Sequence, residues 1–183
     1  WTSEGVKAAT AMTIDEIADD VRERAVVITG GEPMLHRRRL PELIHTLRDR
    51  GVQHITVETN ATIHDPALAT AVDLWSLSPK LAASGEEPQP EIIDRYLLDT
   101  LIRAQLKFVV TDIDDWLGMW DLLEQLEGPL PGPILVQPDG TREDYDRALL
   151  ELTDIVLADE SDFRGQPSRS LVRVTPQVHR VIW

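Results

Sequence analysis

Short apolar runs rich in β-branched residues alternate along this chain with longer amphipathic stretches, and this alternation constrains the fold more than any other feature. Ala25-Val26-Val27-Ile28, Ile55-Thr56-Val57, Val72 to Leu77, Leu106 to Val110 and Ile134-Leu135-Val136 are strand-length, with the apolar continuity of strands buried on both faces of a parallel sheet. Between them, Leu40, Leu43, Ile44 and Leu47 share one face of a helix that has Pro41 in its first turn and stops at Gly51. A second helix is expected from Glu91 to Arg103. A third would be capped at Thr111 with Asp114 as its third-position acid, burying Ile113, Leu117, Trp120 and Leu123. A fourth would be capped at Thr141. Upstream, Thr13-Ile14-Asp15-Glu16 reads as a capping box opening a helix of about three turns. Ile155-Val156-Leu157 and Leu171 to Val174 read as two further short strands.

Strand–helix alternation of this kind demands right-handed crossovers and a parallel sheet, either open and doubly wound or curled into a full or partial barrel. The class is α/β, and 183 residues suit one domain, 1–183. No apolar run approaches the ~20 residues that cross a bilayer, and the chain opens without a basic or apolar leader, so a cytoplasmic protein is expected. A formal net charge of −14 disfavours nucleic acid and anionic lipid as partners and favours a small molecule. Zero cysteines exclude disulfides and thiolate metal sites within these residues. The five histidines, His36, His45, His54, His64 and His179, are not grouped with acids at ligand spacing, so no histidine metal site is predicted.

The polar residues fall where a parallel sheet binds ligands, at the C-terminal ends of its strands. They are Thr29 with Gly30 and Gly31, Glu58 with Asn60, Ser78 with Lys80, and Gln137 with Asp139. The strand ends Thr29, Glu58, Ser78 and Gln137 are expected to line one cleft. Gly30-Gly31-Glu32-Pro33 would let backbone approach a ligand while Glu32 offers a carboxylate to an ammonium group, or it is a turn carrying an exposed acid. Glu58-Thr59-Asn60 is a site or a strand end with an Asx turn, and Ser78-Pro79-Lys80 offers a hydroxyl and an ammonium or simply a solvated lysine. Gln137-Pro138-Asp139-Gly140 is equally readable as a turn with a cap. Arg37-Arg38-Arg39 reads as a solvated helix face, and Asp112, Asp114 and Asp115 as helix N-terminal acids.

Taken in order, VVITGGEPMLH, ITVETNAT, SLSPKL, QLKFVV, LVQPDG and RVTPQVHRVIW resemble the 7-carboxy-7-deazaguanine synthases of the radical S-adenosylmethionine (SAM) superfamily over nearly the whole chain. GGEP alone is shared by many radical SAM enzymes; its combination with SPK, QPDG and PQVH is far more specific.

The resemblance implies an incomplete TIM-like barrel of parallel strands and helices lacking its first strand. It implies conversion of 6-carboxy-5,6,7,8-tetrahydropterin to 7-carboxy-7-deazaguanine with loss of ammonia, on the way to queuosine and related deazapurines, using SAM, a [4Fe–4S] cluster and Mg²⁺. Reductive cleavage of SAM to a 5′-deoxyadenosyl radical would begin the reaction. A reductant such as flavodoxin or ferredoxin and a homodimer are the partners it implies. It places Gly30, Gly31, Glu32, Asn60, Ser78, Pro79, Lys80, Gln137, Pro138, Asp139 and Gly140 along SAM, with Glu32 on the methionyl ammonium. Thr29 falls on the substrate, and Glu58 faces the radical centre or substrate as the catalytic candidate.

One departure is large. The family's CxxxCxxC loop, whose thiolates hold the cluster, and the threonine beyond it that reaches Mg²⁺ have no counterpart here, so no metal ligand is assigned. A fragment of a longer enzyme, truncated N-terminally and also ending early at Trp183, is expected, inactive by itself. The alternative is a clusterless, non-catalytic module that binds SAM or a nucleotide.

Overall fold

The computed structural model describes residues 11–81, 84–100 and 103–177. Helix α1, Ile14–Asp20, opens with the expected capping box: the Thr13 hydroxyl accepts from Glu16 N–H, and the Glu16 carboxylate accepts from Thr13 N–H. At 7 residues it makes about two turns rather than three. The sheet strands follow as β1 (Ala25–Ile28), β2 (His54–Thr59), β3 (Leu74–Leu77), β4 (Ala104–Val109) and β5 (Ile134–Gln137). They are connected by α2 (Leu40–Asp49), α3 (Pro90–Thr100) and α4 (Ile113–Gln125), and the β2–β3 crossover carries a 3₁₀ turn, Pro66–Leu68. Helix α5 (Tyr145–Ala158) leads into a small hairpin of β6 (Asp162–Phe163) and β7 (Gln166–Pro167), a short α6 (Ser168–Leu171) and β8 (Val172–Val174).

Every pairing in the large sheet is parallel and its order is β1-β2-β3-β4-β5-β8, with no reversal. That order decides between the two architectures left open by the periodicity. A doubly wound sheet must reverse its strand order to put helices on both faces. Successive right-handed crossovers without reversal carry the connections to one face and curl the sheet, as in a barrel. The burial pattern agrees: Ile55, Val57, Trp75, Leu77, Leu106, Phe108, Ile134 and Val136 are fully buried on the outer face against the helices. The alternate positions form a more open inner face. Among the described residues β1 and β8 are unpaired edges, so the barrel is partial.

Five expectations need correction. Strand β1 is not buried on both faces: its partner lies on one side only, and Val27 on the inner face is 58% exposed. In α4 the cap is Asp112, which accepts from Asp114 and Asp115 N–H, and Thr111 instead donates to the buried Asp115 carboxylate. The buried stripe is Trp116, Met119, Trp120 and Leu123, leaving Ile113 and Leu117 outside, because the two tryptophans and the methionine bury more surface than the isoleucine–leucine alternative. Thr141 caps no helix; it donates to Asp139, and α5 begins at Tyr145 after Asp144. Residues Ile155 to Leu157 are the last turn of α5, drawn into it by the Ala148, Leu152, Val156 stripe.

Candidate active site at the strand C-termini

Strands β1, β2 and β3 deliver Thr29, Glu58 and Ser78 to one cavity of about 330 Å³, which Gly31, Glu32, Thr59, Asn60, Lys80 and Glu86 also line. A second cavity, about 250 Å³, shares Ser78 and Lys80 with the first and continues past Pro79, Val109, Thr111 and Asp115 to Asp139. Three of the four strand ends expected in one cleft therefore meet there. Gln137, the fourth, ends β5 on the inner face but does not line the first cavity; Asp139, two residues on, lines the second.

The Gly-Gly turn is built as its composition requires. Gly30 and Gly31 both have positive φ, 91° and 53°, which disfavours any residue with a Cβ. The space beside Gly31 is open, so a ligand can approach its backbone. Glu32 is not an exposed acid. Its Oε1 accepts from Met34 N–H at 2.9 Å and from the Thr59 hydroxyl at 2.6 Å, and its Oε2 accepts from Asn60 N–H at 2.8 Å. The carboxylate thus caps the 3₁₀ turn Pro33–His36 and ties it to the end of β2. A carboxylate offers about four acceptor positions. Three are taken, which leaves one on Oε2, enough for one ammonium hydrogen, in a residue that lines the cavity. The Asn60 side chain forms its own Asx turn, accepting from Thr62 N–H and hydroxyl.

The loop 137–140 is fastened from behind. Gln177 donates through Nε2 to Pro138 O at 3.2 Å, and its backbone N–H donates to the Tyr145 hydroxyl. A Cβ on Gly140 would overlap the Gln177 amide, the end of a flexible side chain that would have to move aside. Asp139 accepts twice from Thr141 and Thr111 donates to Asp115, leaving Ser78 and Lys80 as the adaptable polar groups shared by the two cavities. His179 and the rest of the closing PQVH motif after Gln177 lie outside the described residues.

Two contributors escaped sequence reasoning. Thr59, 2% exposed, holds Glu32 in place, and Lys107 on β4 reaches across β3 to put its Nζ 2.6 Å from Glu58 Oε1. The signal for Lys107 was available: in a strand whose alternate residues Leu106 and Phe108 are apolar, a central lysine must point to the opposite face.

The chain is 33% identical to a 7-carboxy-7-deazaguanine synthase of Halobacterium salinarum, over 94% of this chain and 71% of that protein. It belongs to the 7-carboxy-7-deazaguanine synthase family. A second synthase of that name, from Pyrobaculum aerophilum, is 30% identical over 86% of this chain and 64% of its own length. A third, from Hyperthermus butylicus, is 32% identical over 58% of this chain. The chain spans 71%, 64% and 48% of the lengths of these three relatives. No family model matches it.

Within this 7-carboxy-7-deazaguanine synthase family member, the described residues contain no group of three or more His, Asp or Glu placed to hold a metal ion. With no cysteine in the 183 residues, a [4Fe–4S] cluster has no thiolate ligand here. No described helix is long and apolar enough to cross a membrane.

Proposed function

We propose that this chain forms the SAM- and pterin-holding part of an enzyme converting 6-carboxy-5,6,7,8-tetrahydropterin to 7-carboxy-7-deazaguanine with loss of ammonia. The observation that carries the reading is the convergence of Thr29, Glu58, Ser78 and Lys80 on one polar cavity at the C-terminal edge of a partial barrel, in a member of this family. Bound beside a reduced cluster held by residues outside this chain, SAM would supply the radical chemistry by which a hydrogen atom is taken from the pterin. The cluster's ligands, and the Mg²⁺ ligand, are not among these residues.

The chain's own part is holding and orienting. Glu32 offers its remaining acceptor position to the methionyl ammonium, and Gly30 and Gly31 keep the backbone bare beside it. Ser78 and Lys80, at the junction of the two cavities, face the ribose and carboxylate oxygens of SAM. Asn60, Pro79 and the loop from Gln137 through Pro138 and Asp139 to Gly140 flank it. Thr29 and Glu58 hold the pterin. The chain acts as one cytoplasmic domain and forms a homodimer, and the full enzyme, with its cluster, draws its electron from a reductant such as a flavodoxin or ferredoxin.

The absence of cysteine also favours a second reading, a non-catalytic module that retains SAM binding. Both readings require saturable SAM binding in a calorimetric titration. They part when a CxxxCxxC-bearing segment is joined to the N-terminus and the cluster is reconstituted without oxygen. The enzyme reading expects reductant-dependent 5′-deoxyadenosine; SAM binding without it leaves the module, and no SAM binding by folded protein refutes both.

A further inference from the structure

We propose that Lys107 is a positioning residue: it aims the Glu58 carboxylate into the first cavity and so makes that wall select ligands whose facing edge donates hydrogen bonds. The inference rests on the pterin reading above. Lys107 sits on β4 and Glu58 on β2, with β3 between them, so the two side chains together bridge two strand spacings, about 9.6 Å, to meet at 2.6 Å. The Lys107 side chain is only 15% exposed and lines neither cavity, whereas Glu58 is 32% exposed and lines the first. Lys107 therefore reaches a ligand only through Glu58.

Stability does not account for this arrangement. Withdrawing an ammonium from water costs about as much as a single ion pair returns, and an apolar side chain of similar length commonly serves a fold as well. Its effect is directional. The ion pair tethers the carboxylate across the strands through Oε1, and no hydrogen bond to Oε2 is found among the described residues. The cavity's other lining side chains are the neutral Thr29, Thr59, Asn60 and Ser78 and the charged Glu32, Lys80 and Glu86. A fixed acceptor matches the N3–H and 2-amino donors of a 2-amino-4-oxopyrimidine edge. It repels the same ring system when an oxo group replaces the amino group.

The test titrates two fluorescent probes, 6-carboxypterin and 6-carboxylumazine, into the parent chain and its Lys107→Met, Lys107→Arg and Glu58→Gln variants, with urea midpoints monitoring the fold. The parent is expected to prefer the pterin by about tenfold or more, as sites built around a substrate's donor do. Lys107→Met should bring the two probes to near parity without a comparable loss of lumazine binding. Lys107→Arg should restore most of the preference, and Glu58→Gln should remove it. A preference that survives Lys107→Met, or parallel loss of both probes, overturns the positioning role. If Lys107→Met does not fold, a preference unchanged in Glu58→Gln overturns it equally. A folded parent that binds neither probe refutes the pterin reading, and this inference with it; a parent preference indifferent to Lys107 refutes the inference alone.

Discussion

Replacing Glu32 should destabilise the fold before any ligand is considered. Its carboxylate accepts from Met34 N–H, Thr59 Oγ1 and Asn60 N–H, and both Met34 and Thr59 are almost wholly buried. Each hydrogen bond to a charged group contributes ~1.5–3 kcal/mol, so three set an upper bound of ~4.5–9 kcal/mol. Water reduces this, because Gly31 is exposed and Asn60 half-buried, so it can enter beside the Asn60 amide. A loss of ~2–4 kcal/mol is expected for Glu32→Ala, within the range for a broken buried network. Glu32→Gln keeps an acceptor for Met34 and Thr59 but turns an NH₂ toward Asn60 N–H, and should cost ~1–2 kcal/mol. Urea unfolding followed by circular dichroism gives the order parent, Gln, Ala in the midpoint, with the slope unchanged. A Glu32→Ala midpoint within ~0.5 kcal/mol of the parent, the usual range of an inert surface change, would refute the network as a structural device. The ordering matters for function: a SAM affinity lost in Glu32→Ala is attributable to the missing ammonium partner only at temperatures where that variant is fully folded.

Two further outcomes follow from the structure. Gly140→Ala should displace the Gln177 amide and break its bond to Pro138 O, costing ~0.5–1.5 kcal/mol, as one neutral hydrogen bond does; Gln177→Ala should cost about the same, and the double variant, read by thermal unfolding, little more than either. His64 packs edge-on to Tyr96, with Nε2 3.0 Å from Asp99 Oδ2 but outside hydrogen-bond geometry; burial, only partly opposed by Asp99, lowers its pKa below the ordinary value. The unfolded chain then binds the proton more readily than the folded one, so this contribution is whole above pH ~6.5 and is lost as pH falls from there toward the folded pKa. The urea midpoint should drop more steeply from pH 7 to pH 5 in the parent than in His64→Gln, and equal slopes would refute this.

What the sequence disclosed follows the range of the interactions. The α1 capping box and strand β1 were legible because their determinants lie within four residues of each other. Thr29, Glu58 and Ser78 could be brought together without any contact being known, because parallel strands put their C-terminal ends on one edge whatever their partners. The errors came where two local solutions competed. Ile113 with Leu117, and Trp116 with Met119 and Trp120, both satisfy helical spacing, and the choice rests on the volume beneath α4. The β-branched tail of α5 reads as a strand until Leu152 and Val156 are seen to share a buried face.

Partners of the site residues lay further beyond reach, and for a specific reason. Glu32 is held by Thr59 and Asn60, and Glu58 by Lys107, through strand register and neighbour order. Those are properties of the assembled sheet. A glutamate after two glycines, read locally, is a free anion awaiting a ligand; in the folded sheet it is already three-quarters committed if four acceptor positions are counted. That commitment suits an ammonium site, because a carboxylate held by three protein donors loses no rotamer freedom when the ligand arrives, and the one remaining acceptor position sets the ligand's direction. The same logic applies across β3, where Lys107, which lines neither cavity, is ion-paired to a second cavity carboxylate, Glu58.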